Sequence, residues 1–376
     1  VVPAQEVDDL DAVWDLIART YTGAQPVQPD TRQRWMDRLF VAESDGRPVG
    51  AYRAMDFTCS RLGAHLPCAG IAGVASAPES RRQGVGAAMM RNAIRVARET
   101  GVPLLALYAF RETYYRRFGY EVAGERVRIT CPATRWPRVE SDLPVRHLGN
   151  DYAPVEPCFE QFLERYAGGT RRDASRWERV LEPSDTLYAF GDPAEAYVIL
   201  RHSGSFWSED SFAEVVWSSE RGYRAILAFG EQMVANKTGL HWYEPNPSPF
   251  LTRYLDQGIK AEIERLVMYR VAHVPGALKG LSPQESGTFS FAVKDPEVPE
   301  NEGPWRVEFG PGFVNVAPAP EADLSLSIWS FAQAFLGQPS LADLAVLDRI
   351  EVTNASGFEA AQRLLPPQSV YCLDFY

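Results

Sequence analysis

The fold is decided by residues 74–87: Val74-Ala75-Ser76-Ala77-Pro78-Glu79-Ser80-Arg81-Arg82-Gln83-Gly84-Val85-Gly86-Ala87. Residues 69–76, Ala-Gly-Ile-Ala-Gly-Val-Ala-Ser, are small and apolar and read as a strand. Past the turn, Val85, Met89, Ala93 and Val96 recur at helical spacing, the buried stripe of a helix over 84–99. Gly101 stops that helix near the C′ position, where a left-handed backbone is needed. A strand that turns through glycines into a helix leaves backbone N–H groups free at the helix start, and the helix dipole favours negative charge there. Gly84 and Gly86 remove side chains from the approach, while Arg81 and Arg82 supply positive charge at the rim. Residues 83–87 therefore predict a pyrophosphate cradle. GxxxxGK[ST] and GxGxxG are both absent, so it is neither a Walker loop nor a dinucleotide fingerprint.

Outward from this segment the chain reads as three consecutive units. In residues 1–130, Leu10, Val13, Trp14 and Ile17 mark an amphipathic helix, and a short helix is expected around Asp30–Leu39 with Asp30 or Thr31 as cap. Phe40–Glu43 and Val49–Phe57 flank Asp45-Gly46, a hairpin signal. Leu104–Tyr108 is a strand, followed by a short helix to Phe118 and a strand from Tyr120. The order α-α-β-β-β-α-β-α-β is that of an α/β layered domain. Residues 131–274 open on a Pro- and Arg-rich stretch (Pro132, Trp136, Pro137, Pro144) that reads as a linker. Helices follow near 155–166, 221–235 and 248–256, with strands near 187–190, 195–201, 213–217, 241–243 and 261–271, an order that partly repeats the first unit. In residues 275–376, Thr288–Asp295, Trp305–Phe309 and Phe313–Ala317 are strands and 329–336, 340–347 and 358–365 helices. The tail Ser369-Val370-Tyr371-Cys372-Leu373-Asp374-Phe375-Tyr376 is aromatic and apolar, which predicts a buried terminus rather than a frayed one.

Composition narrows the function classes. The 376 residues carry 38 Lys and Arg against 49 Asp and Glu, a net charge of −11 that argues against nucleic acid as the main partner and suits a cationic small molecule. Five scattered cysteines without a CxxC, and five histidines without an HxxxH pair, give neither a disulfide framework nor a metal site, and reduced thiols fit a cytoplasmic protein. No apolar run approaches the ~20 residues needed to span a bilayer, and no signal-peptide pattern is visible.

The R-x-x-G-x-G pattern of Arg81, Gly84 and Gly86 resembles the acetyl-coenzyme A loop of the GCN5-related N-acetyltransferases. Tyr115-Arg116-Arg117-Phe118-Gly119-Tyr120 is similar to the Y-x-R-F-G-Y stretch of the Eis-like (enhanced intracellular survival) group of that family. The resemblance implies tandem GNAT-like acetyltransferase domains, the second degenerate, followed by a sterol-carrier-protein-like α+β domain. It implies acetyl-CoA as cosubstrate, a polyamine- or aminoglycoside-like acceptor, no metal, and a homo-oligomer, hexameric in the group. It gives Tyr115 the role of proton donor and the C-terminal carboxylate, here on Tyr376, that of base. Coenzyme contacts fall to Val74, Ala75, Ser76, Arg81, Arg82, Gln83, Gly84, Val85, Gly86, Ala87, Phe110 and Arg111.

These roles are chemically coherent. A free alkyl amine has a pKa of about 10.4 and needs a carboxylate to take its proton. The departing thiolate gains from a phenolic donor. Backbone N–H groups at Val74–Ser76 would face the oxyanion and pair with the pantetheine arm. Tyr114 lies about 100° round the helix from Tyr115, so only one of the two faces the thioester. Tyr108 and Trp35 are candidates for the substrate mouth, which carboxylates would make anionic. Phe110 stands where the group carries a small polar residue and Ser76 where it carries a β-branched one. A non-catalytic coenzyme- or lipid-binding assembly protein is the competing reading.

Overall fold

The computed structural model describes residues 1–376 apart from 22, 24, 205–207, 255, 266, 375 and 376. Its first unit contains β1 (Val2–Pro3), α1 (Leu10–Tyr21), α2 (Pro29–Met36), β2 (Leu39–Ser44), β3 (Arg47–Arg61), β4 (Ala64–Ser76), α3 (Val85–Glu99), β5 (Leu104–Tyr108), α4 (Glu112–Arg116) and β6 (Glu121–Val122). Asp45 and Gly46 turn β2 into β3 with φ of 50° and 71°, as the Asp-Gly pair predicts. Leu62 and Gly63 repeat the device between β3 and β4, so β4 begins earlier than the apolar run suggested. α2 starts at Pro29 without a side-chain cap: Gln28 is the N-cap, and neither Asp30 nor Thr31 fills that position.

The second unit runs through β7 (Arg126–Pro132), β8 (Val145–Gly149), α5 (Glu156–Glu164), α6 (Ala174–Val180), β9 (Asp185–Phe190), β10 (Ala196–Arg201), β11 (Glu209–Trp217), α7 (Glu220–Met233), β12 (Gly239–Pro245), α8 (Pro249–Tyr254) and β13 (Lys260–Glu264). In both units three antiparallel strands lead through a long helix to a strand parallel to the third: β2, β3, β4, α3, β5 and then β9, β10, β11, α7, β12. The repeat inferred from element order is thus present in the topology.

The two sheets exchange strands. The stretch expected to form one strand at 261–271 is two, and its second half, β14 (Val267–Val271), pairs with β5 and β6 in the first sheet. Conversely β7, which follows β6 directly, pairs with β12 and β13 in the second. The cut at residue 130 therefore does not follow sheet membership, because β7 straddles it and β14 of the second unit joins the first sheet, whereas the cut at 274 leaves the third sheet whole. Pro132 ends this interior strand rather than opening a linker.

The third unit packs α9 (Val274–Lys279), α10 (Ile328–Leu336), α11 (Leu341–Val346) and α12 (Ala355–Leu364) with a sheet ordered β17-β16-β15-β18-β19. Its strands are β15 (Gly287–Lys294), β16 (Trp305–Gly310), β17 (Phe313–Pro318), β18 (Leu324–Ser327) and β19 (Ile350–Val352). Its apolar core is continuous with residues of the first sheet such as Cys59, Leu66 and Leu104. Arg61, fully buried at the end of β3, donates to the Pro366 carbonyl and the Gln368 side chain at 2.8 Å each, which anchors the approach of the C-terminal tail. Among the described residues no helix is long and apolar enough to cross a membrane.

Candidate active site

β4 carries the first feature of the site. Ala51 pairs with Ala75 and Arg53 with Ala72, so Tyr52 faces two residues, Gly73 and Val74, across a β-bulge. Gly73 has φ of 60°, the left-handed conformation such a bulge requires. On its other edge β4 pairs with β5 only from Cys68–Leu104 to Ile71–Leu107, after which the two strands part. Among the described residues, 72–76 thus make no strand pairing on the β5 side, an edge that an extended amide arm can pair with.

The cradle follows. After a 3₁₀ turn at Pro78–Ser80, Arg82 and Gly84 take φ of 64° and 89°. Gly84 is the N-cap of α3 and offers no side-chain hydrogen bond, so the first N–H groups of that 15-residue helix are left to a ligand. Residues 81–84 are exposed, as a ligand rim requires. The cradle fits a pyrophosphate. Gly86 is small for a different reason from the one its spacing suggests: a Cβ there would collide with the Tyr114 hydroxyl, which leans over the start of the helix. The corresponding helix of the second unit lacks this opening. Ser219 caps α7 by accepting from the Gly222 N–H, and Glu220 adds negative charge in the first turn. The second copy cannot hold a phosphate in the same way.

Tyr115 lies between these two features. It is buried, with Phe110 edge-on at 5.6 Å, Tyr114 at 5.0 Å and Tyr120 at 6.2 Å between ring centroids. Burial raises its phenol above the ordinary tyrosine range, and the nearby Tyr21 and Tyr114 phenols raise it further. Tyr21, at the end of α1, donates to the Val74 carbonyl at 2.7 Å, so the bulge, Tyr21, Tyr115, Tyr114 and the α3 N-terminus form one continuous wall. Phe110 and Arg111 are exposed just beyond β5.

The tail enters from the far side. Residues 167–171 lie between the end of β3 and the tail: the Ser60 N–H donates to the Gly169 carbonyl, and the Tyr371 N–H to that of Ala167, both at 2.9 Å. A Cβ on Gly124 or Gly168 would meet Val370, so both glycines make room for this docking. Asp374 is 2% exposed and accepts from Thr170 Oγ1 at 2.6 Å and Arg172 Nε at 2.9 Å. Arg172 is bridged on its other side to Glu214. Burial alone would lower the Arg172 pKa, but Asp374 and Glu214 more than compensate and hold it well above the usual value. Tyr108 is turned to this tail, its hydroxyl donating to the Asp374 carbonyl at 2.7 Å. The expected burial of the terminus holds as far as Asp374; Phe375 and Tyr376 lie outside the described residues.

A cavity of about 610 Å³ opens beside the bulge, between α2, β3 and α6. Trp35 lines it, as expected of a mouth residue, but its charge is opposite to the expectation. Arg34, Arg38, Arg53, Arg171, Arg176 and Arg179 line it against Asp56 and Asp173. These arginines, together with Tyr21 and the Thr170–Arg172–Asp374 cluster, are the residues sequence reading passed over. Arg176 and Arg179 at i, i+3, and Arg34 and Arg38 at i, i+4, are same-face pairs visible in the sequence. That two helices and a strand aim them at one cavity is not.

Comparison with known proteins bears on the first and third units. An acetyltransferase (GNAT) domain model matches residues 3–123 and a sterol carrier protein domain model residues 274–373. N-acetyltransferase Eis of Mycobacterium tuberculosis is 27% identical over 52% of this chain and 53% of its own length. Residues 3–123 are thus a GNAT acetyltransferase domain, and the chain is similar to the Eis-like group of that family. An uncharacterized N-acetyltransferase of Streptomyces avermitilis is 26% identical across 91% of both chains. A GCN5-related N-acetyltransferase from Anabaena variabilis superposes with a TM-score of 0.87 at 17% identity, covering 100% of this chain and 99% of that one. The Eis-like fold of tandem acetyltransferase units and a sterol-carrier-like unit therefore accounts for the whole chain, and the protein is an acyltransferase.

Proposed function

We propose that the chain transfers the acetyl group of acetyl-CoA to the amine of a small substrate at the first unit. One observation carries the reading: Tyr115 is buried between a bulged strand edge and a helix start without a side-chain cap. Residues 74–76 would hold the pantetheine arm, and the turn at 81–87 the pyrophosphate. The amine nitrogen attacks the thioester carbonyl, a C–N bond forms and the C–S bond breaks. The departing sulfur takes the Tyr115 proton, and the amine proton passes to a carboxylate. We assign that carboxylate to Tyr376. Asp374 is fixed beside Tyr108, and two further residues reach at most about 7 Å.

The polyamine- or aminoglycoside-like acceptor expected from the sequence rests on the net charge of −11 and on the resemblance; the arginine lining gives it no support. A hexamer and a cytoplasmic location also rest on the resemblance and on the cysteine pattern. Thiol release from acetyl-CoA in the presence of an amine panel tests the function, with calorimetric titration of coenzyme A alongside. Turnover with at least one primary amine is expected. Coenzyme binding without turnover on any amine would reject the reading.

A further inference from the structure

We infer that the acceptor is an amine that also carries a carboxylate or phosphate, held by the arginines of the cavity beside the β4 bulge. The inference rests on the proposed acetyl transfer and names the substrate class of that site.

The argument starts from which arginines are already satisfied. Arg38 is paired with Asp56 at 2.7 Å, Arg171 with Glu160 at 2.8 Å and Arg176 with Asp374 at 3.6 Å. Arg34, Arg53 and Arg179 have no carboxylate partner among the described residues. Arg34 donates to the Asp30 carbonyl and the Thr31 hydroxyl, and Arg179 to the Ser175 carbonyl. Arg53 stacks over Trp35 at 3.9 Å, and its buried Nε has no hydrogen-bond partner among the described residues. A buried guanidinium nitrogen without an acceptor is costly, so an anionic ligand that supplies one gains accordingly. Asp173 offsets part of this charge beside Arg179, but it makes no ion pair there, and its side chain caps α6 by accepting from the Arg176 N–H.

Position supports the same ligand. Arg53 Nε lies 3.6 Å from where a Cβ on Gly73 would stand, at the bulge that faces the thioester in the proposed chemistry. Arg176 touches the tail through Asp374 and packs on Phe57 at 4.9 Å. The cavity therefore runs from the acyl end of the site to the buried tail. A cationic group entering it would meet unpaired guanidinium groups in a protein that is acidic elsewhere. Repulsion among Arg53, Arg179, Arg176 and Arg34 already lowers the Arg53 pKa, after burial as the larger cause. A bound anion relieves that repulsion, and the planar guanidinium groups can grip carboxylate or phosphate with paired hydrogen bonds.

The test uses amines that differ only by an anion: butylamine against 4-aminobutyrate, and glucosamine against glucosamine 6-phosphate, with spermidine and kanamycin as cationic comparators. Thiol release is read for the full chain and for Arg53→Met and Arg179→Gln. The expected result is kcat/KM at least about tenfold higher for the anionic member of one or both pairs. That advantage should fall about tenfold in each variant and weaken with added salt, with coenzyme A affinity unchanged. The carboxylate and phosphate pairs separate the two anions. Preference for spermidine or kanamycin, or an anion preference untouched by both variants, would overturn the inference. If no amine is turned over, the acetyl-transfer reading fails on its own. Calorimetry of 4-aminobutyrate and glucosamine 6-phosphate on the coenzyme complex then decides the cavity. Binding lost in Arg179→Gln supports it, and no binding of either probe overturns it. Arg179 is exposed, so that variant folds even if Arg53→Met does not.

Discussion

At the scale of single residues, the account turns on a phenol kept protonated by burial. Tyr115 titrates above the ordinary tyrosine range because its ring is enclosed by Phe110, Tyr114 and Tyr120. A raised phenol pKa keeps the donor form present as pH rises and loses it only above the usual value near 10. The profile of kcat/KM should therefore show no alkaline loss attributable to Tyr115 below pH of about 10. A falling limb between about pH 8 and 9.5 that vanishes in Tyr115→Phe would contradict this. Gly84→Asp should weaken coenzyme A binding at least about tenfold, since it places a carboxylate at the phosphate site and a side chain at φ of 89°. Titration calorimetry measures it, and unchanged affinity would remove the cradle. Of these residues, Tyr115 and Gly84 were legible in the sequence because a motif with fixed spacing carries them. Gly86 was legible as a glycine but not in its role, since Tyr114 approaches it from another element. Tyr21 and Arg53 were not, because nothing local to either marks the bulge they meet.

At the scale of elements, the sequence showed α1, α3, β5 and the Asp45-Gly46 hairpin through periodicity and turn chemistry that depend on near neighbours alone. It did not show that 261–271 breaks between two sheets, because nothing local says which sheet edge the polar half, Lys260–Glu264, or the buried half, Val267–Val271, joins. Nor did it show α6, whose short run at 174–180 gave no long periodic stripe. The tail was read as buried from its aromatic composition, which holds as far as Asp374. What composition could not give is the charge cluster that holds it. Asp374→Asn should leave Arg172 with Glu214 alone and cost roughly 1–3 kcal/mol of stability, measured by urea unfolding. It should also lower kcat more than it changes coenzyme affinity; an unaltered midpoint and rate would separate the cluster from tail placement. Adding one glycine after Tyr376 moves the carboxylate without touching Asp374. It should abolish most turnover while unfolding stays unchanged, and full activity would reject the proposed base.

At the scale of the whole molecule, strand exchange ties the first two units together. With β14 between β5 and β6, the first sheet is not complete without a strand that follows the second, and β7, which follows β6 directly, lies between β12 and β13 in the second. The first two units should therefore unfold in one cooperative transition, with far-ultraviolet circular dichroism and tryptophan fluorescence coincident in urea. Separate transitions assignable to the first and second sheets would contradict the exchange. The same exchange explains why boundaries drawn along the chain missed the sheets, since linear order cannot reveal which edge a strand joins. Overall acidity misled in a similar way. A net charge of −11 is a sum over the surface, whereas the cavity beside the bulge collects six arginines from distant parts of the chain.

The central claim is that this site moves an acetyl group with Tyr115 as proton donor. It is tested most directly by steady-state thiol release from acetyl-CoA for the full chain and for Tyr115→Phe, on the best amine of the panel. The expected result is a kcat lower by about 10²-fold or more with coenzyme A affinity unaltered. A variant that turns over as fast as the parent would contradict it.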